Sequence, residues 1–290
     1  MNPDNGSTIL PTDAGVLLIG HGTRDEEGHA EFLRLGELLA KAVAPTPVEV
    51  SLLELQPPTI EEGWERLVSV GTGRVLAAPL LLFAAGHAKS DIPDALTGCQ
   101  ARLPVRGWAQ SRPLSRAPEL IELIVRRWDE AIAAASADPQ RTAVIVVGRG
   151  SHDPCAQADL RVLTACAAAH RPVRVAAHRP VRVAAHRPVR VAATAYYAMA
   201  QPKLDEVIAQ VTRDPQVRDV IIQPHLLFQG AIHRSIRQQI EAAASEYPRH
   251  RLSCADYLGP DPLVVASLVR RVREAIGDTP IPSATASRSG

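Results

Sequence analysis

Three side chains able to hold a metal ion recur at a single interval: His21, Glu54 and His87 are separated by 33 residues at each step. Each comes at the end of an apolar run. His21 follows Gly15–Ile19 in "GVLLIGHGTRDEEGHAEF", Glu54 follows Val48–Leu53, and His87 follows Val75–Phe83. Two imidazoles and a carboxylate form a borderline nitrogen and oxygen donor set suited to Co2+, Fe2+, Ni2+ or Zn2+, and three protein ligands leave positions open for exchange. Imidazole binds metal only when neutral, which its ordinary pKa permits near neutral pH. Taken singly, a histidine after a strand is more often a turn or capping residue, and a glutamate there an exposed carboxylate. The common interval sets these three apart.

An interval of about one strand-helix unit places all three at the same end of a parallel sheet. In a doubly wound sheet that is where ligands bind. The apolar runs show little polar alternation, as expected of strands covered on both faces. The first run precedes a helix-period segment from about Glu26 to Val43, with Phe32, Leu35, Leu39, Ala42 and Val43 on one face. The second precedes "PPTIEEGWERLVSVG", in which Pro58 suits a first helical turn and Gly71 a stop. The third leads to a helix from about Asp91 to Ala101, and a fourth strand near Val105 to a helix from about Ala117 to Ala135.

The second half of the chain repeats this plan. "AVIVVGRGSHDPCAQADL" (143–160) aligns with residues 15–32, "AMAQPKLDE" (198–206) with "ELQPPTIEE" (54–62), and "IIQPHLLFQGAIHRSI" (221–236) with "LAAPLLLFAAGHAKSDI" (76–92). The offset grows by 16 residues between the first two motifs, and "AHRPVRVA" occurs three times in tandem over 169–192. Two extra octapeptides explain the gain, and only the last copy, running into "ATAYY", is needed as a strand. At the aligned positions His21, Glu54 and His87 become Arg149, Ala198 and Ile232. The duplicate has lost the candidate ligands while keeping the plan, so the fold itself does not call for them. His225 and His233 miss the aligned ligand positions and are possible pocket residues.

The expected architecture is α/β: two domains, each a doubly wound parallel sheet built from four apolar runs, related by internal duplication. The boundaries read as a flexible tail (1–13), a metal-binding domain (14–135), a linker (136–141), a degenerate second domain (142–277) and a flexible tail (278–290). An apolar share of 46% over 290 residues supports real cores. Lys plus Arg (32) balances Asp plus Glu (31), which argues against a nucleic-acid partner. No run is long enough to span a bilayer and the first residues do not read as a leader, so a cytoplasmic protein without a membrane partner is expected. Cys99, Cys155, Cys166 and Cys254 lack CxxC spacing and read as reduced thiols.

"LLIGHGTRDEEGHAEF", "LLELQPPTIEEG" and "PLLLFAAGHAKSDIP" together resemble the sirohydrochlorin chelatases of the class II chelatase family, over most of residues 14–277. The resemblance is to the two-domain cobaltochelatase type of the cobalamin pathway. It implies two flavodoxin-like domains, each a doubly wound four-stranded parallel sheet, with a cleft between the halves. It also implies insertion of Co2+ into sirohydrochlorin without ATP, no tightly bound cofactor, and the divalent metal (Co2+ or Fe2+) as a substrate. The family's metal-binding and catalytic histidines map onto His21 and His87, and its site carboxylate onto Glu54. The tetrapyrrole substrate is a polycarboxylate that wants cations near it, and Arg24, Lys89, Arg149 and Arg234 flank the aligned cleft loops. Two readings compete within this frame: a ferrochelatase of sirohaem synthesis, and a non-catalytic cobalt or nickel carrier. A histidine-nucleophile phosphatase fits poorly, because Gly20 stands where arginine should precede the histidine. A fused pair of halves suits either a monomer or a homodimer.

Overall fold

The structure, a computed structural model, describes residues 10–84, 86–170 and 189–277. The two four-stranded sheets expected from the apolar runs are present, and every strand pair is parallel. The first contains β1 (Ala14–Gly20), β2 (Val48–Leu52), β3 (Arg74–Pro79) and β4 (Gly107–Gln110) in the order β2-β1-β3-β4. The second contains β5 (Thr142–Gly148), β6 (Val191–Tyr196), β7 (Asp219–Pro224) and β8 (Arg251–Cys254) in the equivalent order β6-β5-β7-β8. The central strands β1 and β5 are buried along their whole length, which explains their unbroken apolar sequences. No helix among the described residues is long and apolar enough to cross a membrane.

Local signals explain the helix ends. The Asp25 side chain accepts from the Gly28 N–H and caps α1 (Glu26–Val43), which buries Phe32, Leu35, Leu39 and Val43 along one stripe. A reciprocal Thr59–Glu62 capping box starts α2 (Ile60–Ser69), and Gly71, with φ of 87°, follows its end. Pro58 therefore precedes the cap instead of entering the first turn, because the Thr59 hydroxyl provides a better N-terminus. The third strand stops at Pro79, short of the expected Phe83, since residues 80–83 leave the sheet to line a cleft. The helix expected from Asp91 is α3 (Ile92–Arg102), preceded by a π-helical turn over His87–Asp91. The fourth strand begins at Gly107, two residues after the expected Val105. The N-terminal segment is packed before Ala14: Leu10 is buried, and the Asp13 carbonyl accepts from the N–H groups of Gly73 and Arg74.

The remaining helices are α4 (Pro118–Ala134), α5 (Pro154–Ala169), α6 (Leu204–Val211), α7 (Ala231–Glu246) and α8 (Pro262–Gly277). Two of them are exchanged between the halves. Helix α4, from the first half, packs on α5 and β7, while α8, from the second half, packs on α1, β3 and β4. The two helices also pack on each other. One continuous apolar core thus runs from Leu18 and Leu35 through Leu268, Ile124 and Trp128 to Val144, Val146 and Ile221. The outer face of each sheet has its own smaller core, with Trp64 in the first and Ile208 in the second. Of the octapeptide tract, residues 171–188 lie outside the described residues, and β6 opens on the last two residues of the third copy. The four cysteines are free thiols.

Candidate functional site

The carboxyl ends of both sheets face one cleft of about 830 Å³, lined by residues of both halves. That volume falls in the usual range for small-molecule sites. Five histidines line it among the described residues: His21 and His29 from the first half, His152, His225 and His233 from the second.

His21 directly follows β1, and its carbonyl accepts the Glu54 N–H at 3.1 Å, which brings the backbones of two candidate ligands side by side. Gly22 makes this approach possible. Its φ is +98°, and a Cβ there would lie 2.2 Å from the Glu54 carbonyl oxygen. The second half repeats the arrangement: the Ala198 N–H donates to Arg149 at 2.8 Å, and a Cβ on Gly150 would meet the Ala198 oxygen at 1.9 Å. Leu55 and Met199, with φ of 76° and 53°, match in the same way. The equivalences of His21 with Arg149 and of Glu54 with Ala198 therefore hold in three dimensions. Gly22→Ala is expected to cost about 1–3 kcal/mol and to push residue 54 away. Denaturant melts and metal titration of the variant would show a lowered midpoint together with weakened metal binding.

The Glu54 side chain is exposed and is not among those lining the cleft. The His87 backbone opens the π-helical turn, an irregularity that concentrates at functional sites; its side chain lies outside the described residues. Among the described residues no three His, Cys, Asp or Glu side chains gather around one point. Arg149 lines the cleft, is exposed, and makes no ion pair among the described residues. Arg24 is exposed and does not line it.

The other two predicted substrate cations are engaged across the cleft. Lys89 Nζ lies 2.7 Å from Asp153 Oδ2, and Arg234 Nη1 lies 2.8 Å from Asp25 Oδ2. These bridges are equivalent under the duplication, each linking the aspartate that caps one half's first helix to a cation of the other half. The Gly28 N–H, then Arg234, holds the Asp25 carboxyl below its usual range; Lys89, then the Cys155 N–H, does the same for Asp153. Both cations are more than half exposed, so the pairs add little stability and remain open to exchange with other carboxylates. Aligning the halves signals the bridges, since Asp25 matches Asp153 and Lys89 matches Arg234.

The remaining histidines differ in their surroundings. His29 Nδ1 lies 2.7 Å from Gln56 Nε2. His233 Nδ1 lies 2.7 Å from Gln229 Oε1, and its ring meets Tyr257 edge-on at 4.9 Å. Tyr257 in turn donates to Glu31 on α1, which joins the halves. Burial, then Arg237, lowers the His233 pKa. His225 is fully buried, and burial pushes it down to about 3. An imidazole whose folded pKa lies below its unfolded value binds fewer protons in the native state, so its contribution is complete above about pH 6.5 and is lost as pH falls toward the folded pKa. Between pH 7 and pH 5 the chain should lose about 2 kcal/mol more than His225→Leu does, as read from urea midpoints.

A sequence profile of the CbiX family matches residues 15–131 and 143–275, covering both halves. A sirohydrochlorin ferrochelatase of Bacillus subtilis (strain 168) is 27% identical over 264 residues, 91% of this chain and 92% of the relative. A sirohydrochlorin cobaltochelatase of Priestia megaterium is 26% identical over 262 residues, 90% of this chain and 79% of the relative. Among solved structures, SirB from Bacillus subtilis with Fe3+ superposes with a TM-score of 0.77 at 26% identity, covering 90% of this chain and 95% of that one. The sirohydrochlorin chelatase SirB from Bacillus subtilis subspecies spizizenii in complex with cobalt gives 0.71 at 26% identity, covering 91% and 96%. With the family profile matching both halves and the fold shared nearly end to end, the chain belongs to the CbiX family.

Proposed function

We propose that this chain is a sirohydrochlorin chelatase that inserts Co2+ without ATP, with His21, Glu54 and His87 as its metal ligands. The observation that carries the reading is the cleft at the carboxyl ends of both sheets, with His21 on its wall, in a chain whose relatives are named sirohydrochlorin ferrochelatase and cobaltochelatase. Insertion requires a partly dehydrated metal, a macrocycle presenting its nitrogen lone pairs, and an acceptor for two pyrrole protons. His21 and His87 deliver the metal, while Glu54 or a cleft histidine accepts the protons. Residues 14–135 supply the metal-handling wall and 142–277 the wall that receives the substrate. Both come from one chain, so one copy suffices for a complete cleft. Fe2+ is the second reading, supported by the ferrochelatase names of the Bacillus subtilis and Priestia megaterium relatives.

Arg149 is the cation best placed for the substrate's carboxylates, occupying the position of His21 in the wall across the cleft. Lys89 and Arg234 join it when those carboxylates replace Asp153 and Asp25; Arg24 stands outside. Arg149→Ala should raise KM about tenfold with kcat nearly unchanged, an effect that shrinks in high salt. Steady-state kinetics at two ionic strengths measure both.

The test of the reading is anaerobic spectrophotometry of sirohydrochlorin with catalytic amounts of protein, run with Co2+ and with Fe2+ against protein-free controls. Many turnovers per chain are expected, and the faster metal identifies the branch. Stoichiometric metal uptake without insertion would favour a carrier instead.

A further inference from the structure

His225 is 1% exposed, and among the described residues neither ring nitrogen has a hydrogen-bond partner. A buried polar group left unmatched is destabilising, so its presence calls for a reason. The duplication shows that the fold does not supply one. His225 directly follows β7, and its N–H donates to the Val147 carbonyl at 2.8 Å; at the equivalent place after β3, the Leu80 N–H donates to Ile19 at 2.8 Å. Leucine thus serves the same structural position in the first half and is buried there.

The location supplies the reason. His225 lines the cleft, with the Phe83 ring of the other half 5.4 Å away and tilted by 33°. Phe83 belongs to the segment after β3, outside regular structure. We infer that His225 is a positioning residue for the metal-free macrocycle, accepting a hydrogen bond from a pyrrole N–H once Phe83 turns aside. This inference rests on the chelatase reading.

The surroundings select that partner over the substrate's carboxylates. An apolar, fully buried setting keeps the ring neutral, so it offers a lone pair and no charge to offset an anion. A pyrrole N–H at the centre of a large apolar ring is a neutral donor that can be brought there. Burial also disfavours the imidazolium form, so His225 orients the macrocycle and leaves deprotonation to other groups. Metal insertion removes the pyrrole protons, so the product cannot make this bond.

The test is equilibrium binding of metal-free sirohydrochlorin and of its cobalt complex, with melting temperatures measured alongside. His225→Leu should weaken binding of the metal-free form about tenfold, leave the cobalt complex unchanged, and melt at or above the parent temperature. His225→Gln, which keeps an acceptor, should recover most of the affinity. Parental affinity in His225→Leu, or equal losses for the two forms, overturns the inference. So does a drop in melting temperature shared by both variants, which would mark a structural role. If the parent chain binds neither form, the chelatase reading itself fails and takes this inference with it.

Discussion

His21→Ala is expected to lower metal insertion by roughly 10²–10⁴-fold while leaving the circular-dichroism spectrum and melting temperature close to the parent's. The fold uses residue 21 through its backbone, whose carbonyl receives the Glu54 N–H, and alanine preserves that bond. Its pseudo-equivalent is Arg149, so a β-strand of this type ends equally well without an imidazole. Alanine therefore removes the imidazole proposed as a metal donor while keeping the backbone contact to residue 54. His87→Ala should behave alike, since its backbone lies in the π-helical turn and the matching helix α7 begins at Ala231 with no such turn. Insertion assays on both variants, paired with calorimetric titration of Co2+, separate loss of metal from loss of fold. Parental turnover in the two variants would sink the site assignment.

Most of what depends on one element and its neighbours in sequence was legible without the structure, the cap of α2 at Thr59 and the end of β3 at Pro79 being exceptions. Unbroken apolar runs marked buried parallel strands, and the common interval of His21, Glu54 and His87 put them at one end of a sheet because each strand-helix unit has about that length. The duplication went further: equal backbone contacts at Gly22 and Gly150 follow from the aligned glycines. What escaped is what depends on two distant surfaces meeting. Lys89 and Arg234 look like free cations until the halves dock and each finds an aspartate. His29 and His152 reach the cleft only because both halves open onto it. The exchange of α4 and α8 was hidden for a similar reason: an amphipathic helix shows that it needs an apolar partner but not which sheet provides it.

That exchange leads to the second large effect. Trp128 of α4 is fully buried, and its indole N–H donates to Gln223 on β7, a strand of the other half. Trp128→Ala leaves a cavity and strips the Gln223 oxygen of a donor, a loss of about 3–5 kcal/mol against total stabilities of roughly 5–15 kcal/mol. The melting temperature should fall on the order of 10 °C. Because α4 covers the second sheet and also packs on α8, which covers the first, the damage must reach both halves. The variant offers its own reporters: the remaining tryptophans, Trp64 and Trp108, both lie in the first half. Their fluorescence should lose its native signal at the same lowered midpoint as the far-ultraviolet dichroism of the whole chain. A first half that kept its parental midpoint while dichroism fell early would mean that the halves unfold independently, and that the shared core through α4 and α8 does not couple them.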